Sequence, residues 1–336
     1  MKKVCALIVM FALAFSITGC GGTKNDAASQ IAEEADSAIA EPLSKGTDDN
    51  MMPDSKDSSS ESNTGITADN IDNLSGSNGD TAVFDLKNGT VILNSGYTMP
   101  IIGIGTFTLS QDEAEDSVYW ALRDGYRLID TARIYGNEEG VGRGIQRAIE
   151  EGFVTREEIF VTTKMWISDY NDGDNAIDAS LRRLGLDYID LMILHHSQPS
   201  NDVMAYQAME KAVEDGKLRS IGLSNYYTLE DFDRLVEATA ITPALLQNET
   251  HPYHQSVDMK EHLAQYGTVI ESWFPLGGRG NTQTLFNDET IMSIAEAHGK
   301  TSAQVILRWH LQAGNIAIPG SSNEAHIQEN FEVFDL

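Results

Sequence analysis

Apolar positions along this chain gather into eight short β-rich runs, and the stretches between them repeat their apolar residues every three or four positions. The runs are IIGIG from Ile101, RLIDT from Arg127, IFVTTK from Ile159, YIDLMIL from Tyr188, LRSIGLS from Leu218, PALLQNE from Pro243, TVIESW from Thr268 and NIAIPG from Asn315. Nearly continuous apolar character over so few residues predicts strands covered on both faces. The intervening segments EDSVYWALRDG, NAIDASLRRLG, AYQAMEKAVEDG and TLEDFDRLVEATA predict amphipathic helices that end at or near breaks. Strict alternation of strand and helix predicts parallel strands joined by right-handed crossovers. Eight such units predict an α/β fold, a closed (β/α)8 TIM barrel with its site at the carboxyl ends of the strands. A hairpin is expected just before it, in VFDLKNGTVILNSGYTM.

The pattern is different ahead of the barrel. Residues 1–19 begin MKK, continue through the apolar VCALIVMFALAFSI and reach ITGC at Cys20. A positive end, an apolar run short for a membrane span and a small-residue junction predict a signal peptide. The junction resembles a bacterial lipobox, which implies lipid on Cys20 and an exported protein anchored to a membrane of the cell envelope; an ordinary secretory signal or an uncleaved anchor, with Cys20 incidental, is the other reading. Residues 20–80 are rich in Ser, Asn, Asp, Gly and Thr, nearly free of aromatics and strongly acidic. Such a stretch cannot bury enough apolar surface to fold and is expected to be a disordered tether. Residues 81–336 are then the folded domain.

Charge and cysteine content narrow the chemistry. A formal net charge of -28 argues against nucleic acid, whose phosphates such a surface repels. The second cysteine, Cys5, lies in the signal segment, so no disulfide and no cysteine metal site is expected in the mature chain. Gly140, Gly142 and Gly144 alternate inside a helical stretch and miss the G-x-G-x-x-G spacing of a dinucleotide-binding sheet. No metal is expected.

Asp130, Tyr135, Lys164 and His195 each follow a strand-like run and together make a proton-donating set for a carbonyl. A phenol donates reluctantly near neutrality, since its ordinary pKa is about 10. A lysine ammonium nearby favours the phenolate, a carboxylate can hold that ammonium, and an imidazole can orient the substrate oxygen. The plainer reading is a structural Asp130–Lys164 ion pair with Tyr135 and His195 hydrogen-bonded near the core.

The stretches GIGTF, LIDTARIYGNEEGVG, VTTKMW, DLMILHH, IGLSN, QNETHPY, PLG and IPGSSNEAHIQEN match a known pattern. From about Val83 to its end the chain resembles the aldo-keto reductases. The resemblance implies NADPH or NADH across the barrel mouth and direct hydride transfer to an aldehyde or ketone, with Tyr135 as general acid beside Asp130, Lys164 and His195. It implies that His195, Trp166 and Tyr135 face the substrate. Ser224, Asn225 and Gln247 fall where the nicotinamide carboxamide is bound, and Trp273 stands where a tyrosine usually stacks on its ring. Thr106 and Phe107 match the loop beside the cofactor, Leu276 and Gly277 the pyrophosphate stretch, and Ser321, His326, Glu329 and Asn330 the adenosine end. Two positions depart from the family's 2′-phosphate grip, since Gly320 and His326 stand in place of a lysine and an arginine. A weak preference for NADPH is therefore expected. His196 replaces a common tryptophan, making the substrate pocket more polar, and the chain stops at FDL, short of a tail that closes over substrate in many relatives. Two rivals use the same barrel. A metal-dependent hydrolase would draw on His195, His196, His251 and His254, without the H-x-H spacing it needs. A non-catalytic nicotinamide-nucleotide sensor on a membrane would have no use for Tyr135 and Lys164 together.

Overall fold

Three short antiparallel strands come first in the computed structural model, which describes residues 82–336. Strand β1 (Val83–Asp85) pairs with β2 (Thr90–Ile92), and β2 with β3 (Thr98–Pro100), so the expected single hairpin is two hairpins in succession. The signal-like segment, Cys20 and the acidic tether lie outside the described residues.

The eight predicted strands follow as β4 (Ile104–Gly105), β5 (Leu128–Asp130), β6 (Phe160–Met165), β7 (Ile189–Leu194), β8 (Leu218–Ser224), β9 (Leu245–Glu249), β10 (Val269–Trp273) and β11 (Asn315–Ala317). Each is parallel to its sequence neighbour, in a single run from β4 to β11. Parallel bridges Ile102–Ala317 and Gly105–Gly320 join the two edges and close the barrel. At this seam the backbones nearly touch: a Cβ on Gly105 would meet the Ile318 carbonyl oxygen at 2.7 Å, and one on Gly320 the Gly105 oxygen at 2.7 Å. Only glycine fits on both sides.

Helices α1 (Gln111–Arg123), α2 (Glu138–Glu150), α3 (Gly173–Leu184), α4 (Asp202–Glu214), α5 (Leu229–Ala238) and α6 (Val257–Ala264) connect successive strands outside the barrel. Ser110 and Glu113 form a reciprocal capping box that starts α1, and the helix buries Ala114, Val118, Ala121 and Leu122 against the sheet. Burying the Val118 and Leu122 side chains is worth about 1.5–3 kcal/mol each. Between β10 and β11 the chain makes α7 (Gly278–Phe286), α8 (Glu289–His298) and α9 (Ser302–Gln312), and α10 (Glu324–Phe331) follows β11. Leu285, Ile291, Ala295, Val305 and Ile306 form a small satellite core there, apart from the main one. Among the described residues no helix is long and apolar enough to cross a membrane.

The three alternating glycines serve helix packing. A Cβ on Gly140 would lie 2.0 Å from the Gln111 carbonyl oxygen, on Gly144 2.5 Å from that of Glu115, and on Gly142 2.4 Å from that of Leu184. Gly140 and Gly144 let α2 press on α1, and Gly142 lets it meet the end of α3.

Candidate active site

Asp130 ends β5, Lys164 is the penultimate residue of β6, and His195 follows β7, so parallel strands deliver all three to one rim of the barrel. Tyr135 closes a 3-10 turn, Arg133–Tyr135, that leaves β5. Lys164 Nζ donates to Asp130 Oδ1 at 2.6 Å, to the Thr131 carbonyl at 3.0 Å and to the Tyr135 hydroxyl at 3.2 Å. Its side chain is 0% exposed and that of Asp130 2%. A cation this dry persists only because its three donors each meet an oxygen.

Desolvation works against the Lys164 ammonium, yet Asp130 and Tyr135 outweigh it and push the pKa up to about 12. The Tyr135 phenol also moves up: burial raises it more than Lys164 lowers it, with Asp130 and Glu271 adding to the rise. This corrects the expectation from sequence alone, in which the lysine dominated. In this state the phenol holds its proton firmly.

His195 is buried, and desolvation with help from Lys164 holds its imidazole well below the usual range, hence neutral. Its Nδ1 is buried without a partner among the described residues. An orphaned N–H is rarer in a dry interior than an orphaned acceptor, so the proton belongs on Nε2. Two contacts fix the backbone here. Asn225, at a left-handed φ of 57°, donates from Nδ2 to the His195 carbonyl at 2.9 Å, and the Tyr170 hydroxyl both accepts from His196 N at 3.1 Å and donates to His196 O at 2.7 Å.

Aromatic rings wall the site. Trp166 meets His195 edge-on with centroids 5.0 Å apart, His196 stacks on His195 at 5.0 Å, and Phe107 lies 5.0 Å from Tyr135 and 6.0 Å from Phe274. Burial holds His196 down to about 4, so it too is an uncharged polar group at neutral pH.

The remaining residues predicted from sequence divide into two groups. Ser224, Gln247 and Glu271 are successive register partners across β8, β9 and β10, so Ser224 and Gln247 sit side by side at the rim with Asn225 next to them. Thr106 is buried, its hydroxyl donating to the Asp130 carbonyl at 3.0 Å, and Trp273 ends β10. These bring hydroxyls, amides and an indole to the same rim of the barrel, which suits a ring carrying a carboxamide. Leu276 packs partly buried on the core and Gly277, at φ 92°, is the N-cap that precedes α7. The second group lies past β11. Ser321 accepts from Asn323 N at 3.0 Å, His326 is exposed, and Asn330 is buried on α10. Glu329 already accepts from the Thr301 hydroxyl at 2.7 Å, so in this structure it braces the start of α9.

One residue of the site escaped the sequence reading. Glu271 lies mid-strand in β10 at 0% exposure, and Gln247 Nε2 donates to it and to Asp130 Oδ2, the latter at 2.9 Å. The signal was present as a carboxylate inside the apolar run TVIESW. His251 and His254 bridge each other on the loop after β9, and the described residues hold no cluster of three or more His, Cys, Asp or Glu able to bind a metal.

Comparison with known proteins decides the family. The family model described as "Aldo/keto reductase family" matches residues 101–336. The chain belongs to this family. It is 44% identical over 254 residues to an aldo-keto reductase of Mycobacterium sp. (strain MCS), covering 74% of this chain and 86% of that one. It is 42% identical over 248 residues to the methylglyoxal reductase of Yersinia pestis, covering 73% and 86%. The crystal structure of a Bombyx mori aldo-keto reductase in complex with NADP matches at a TM-score of 0.68 and 36% identity, covering 74% of this chain and 88% of that chain. This aldo-keto reductase is accordingly an NAD(P)H-dependent oxidoreductase built for carbonyl reduction.

Proposed function

We propose that the chain reduces small polar aldehydes and ketones with Tyr135 as general acid, from a domain tethered to the cell envelope through lipid on Cys20. The observation that carries the chemistry is Lys164 Nζ, fully buried between Asp130 Oδ1 at 2.6 Å and the Tyr135 hydroxyl at 3.2 Å. A nicotinamide held at this rim would supply the hydride. Tyr135 gives its phenolic proton to the carbonyl oxygen, and Lys164 stabilises the phenolate left behind. Asp130 keeps the ammonium in place. Neutral His195 donates from Nε2 to the same oxygen and so orients the substrate. The carboxamide end of the cofactor is assigned to Ser224, Asn225 and Gln247, its ring to Trp273, and its adenosine end to Ser321 and Asn330.

Two departures shape specificity. Gly320 and His326 offer a 2′-phosphate no charged fork, which supports a weak preference between NADPH and NADH. His196 beside Trp166 makes that wall polar, which favours oxygen-rich substrates such as the methylglyoxal for which the Yersinia relative is named.

The test is oxidation of NADH and of NADPH by purified protein with a panel of aldehydes and ketones. Tyr135→Phe should lose at least about a hundredfold in kcat/KM, and full activity in that variant would refute the mechanism. His196→Trp should raise KM for methylglyoxal and lower it for an alkyl aldehyde. A hundredfold preference for NADPH would contradict the cofactor assignment. Labelling of the protein by a fatty-acid probe in cells, lost in Cys20→Ser, tests the anchor.

A further inference from the structure

Glu271 has no part in the chemistry above, yet it occupies the dry centre of the barrel. It is the register partner of Gln247, whose Nε2 donates to Asp130 Oδ2 at 2.9 Å and to Glu271 Oε1. An amide nitrogen carries two hydrogens, and these carboxyl oxygens take both. Turning the amide over would set its carbonyl oxygen against the Asp130 carboxylate, so charge chooses its direction. Among the described residues no group donates to Gln247 Oε1.

We propose that Glu271 is a positioning residue: with Asp130 it clamps the Gln247 amide nitrogen, leaving the amide carbonyl oxygen for the NH2 of the nicotinamide carboxamide. The inference rests on the cofactor role proposed for Gln247. A second consequence follows from the same geometry. Glu271 Oε2 is buried without a partner, and Asp130 on β5 faces Glu271 with a like charge, opposed by Lys164 on β6. Burial first, and Asp130 second, push the Glu271 carboxyl up to about 8, so it is uncharged at neutral pH. When it ionises, the added negative charge makes the Tyr135 phenol hold its proton more tightly. Glu271 thereby extends the alkaline limb of carbonyl reduction.

The experiment compares the full-length wild type with Glu271→Gln and Glu271→Leu, using NADH and ADP-ribose as probes. ADP-ribose lacks the nicotinamide. Loss of the clamp in Glu271→Leu should weaken NADH about tenfold and leave ADP-ribose unchanged. Glu271→Gln still offers an acceptor and should lose less, while its alkaline limb for kcat/KM moves to lower pH. In the protein without cofactor, the infrared band of a buried carboxylic acid should vanish as pH passes about 8 and be absent from Glu271→Gln. Wild-type affinities in Glu271→Leu, equal losses for both probes, or an unmoved pH profile in Glu271→Gln would each overturn the inference while the reductase reading stands. A wild type that binds ADP-ribose but not NADH would sink that reading, and the inference with it. If Glu271→Leu does not fold, the pH profile and infrared band of the isosteric Glu271→Gln decide.

Discussion

Lys164 satisfies three oxygens at once, so its removal should cost twice over. Lys164→Met leaves the Asp130 carboxylate in a dry barrel with only the Gln247 amide. Breaking a buried pair in this way costs about 3–5 kcal/mol, and the phenolate proposed to form at Tyr135 loses its cation. Urea unfolding and kcat should therefore fall together, whereas Tyr135→Phe should spare stability and lose turnover. Glu271 makes the opposite case, a charge the fold refuses. Its carboxyl ordinarily titrates at 4.5 and is raised to about 8 in the folded chain. A raised carboxyl stabilises fully below the unfolded value and loses that contribution as pH climbs to the folded one. Keeping the proton at pH 7 therefore costs the fold a few kcal/mol at most, an order-of-magnitude figure. Thermal melts should show Glu271→Gln gaining on the wild type between pH 5 and about 8; a gap that does not widen with pH would mean the carboxyl is charged in the folded state.

Among the elements, the contact between α1 and α2 is the tightest test of packing. Gln111 anchors α2 from both sides, its Oε1 accepting from Gly140 N at 2.5 Å and its Nε2 donating to Gly136 O at 2.6 Å. Since a Cβ on Gly140 would lie 2.0 Å from a backbone oxygen, no rotamer change relieves it and the helices must part. Gly140→Ala should lower the unfolding free energy by about 1–3 kcal/mol, although alanine is the better helix former. The same elements show what a sequence can announce. All eight strands were legible because runs such as IDLMIL are buried at every position, and burial on two faces leaves an apolar trace. The tetrad was legible because Asp130 and Lys164 stand at the carboxyl ends of such runs and Tyr135 and His195 just beyond them. Glu271 was not, since a carboxylate within a strand ordinarily marks a wet face, and only closure of the barrel turns it inward. Nor was the second hairpin, whose strand TMP is too short to show a period. The fixed peptide between His195 and His196 depends on Asn225, thirty residues from His195, and Tyr170, twenty-six from His196, and spacing carries no trace of such contacts.

On the scale of the whole molecule, charge is the dominant fact. A net -28 repels an anionic cofactor at long range, and salt screens that repulsion. Raising ionic strength should lower KM for NADPH, and lower it more than for NADH, in steady-state assays at neutral pH. A KM that rises with salt would reveal a basic cradle that Gly320 and His326 do not supply. Closure has a consequence of a different kind. The Gly105–Gly320 seam joins the first barrel strand to the segment after the last, so the ring cannot shut until that final segment has left the ribosome. Until then β4 has one neighbour and an open edge, and the rim that gathers Asp130, Lys164 and His195 has no fixed curvature. A barrel whose latch follows all eight of its strands in the chain therefore delays its own closure.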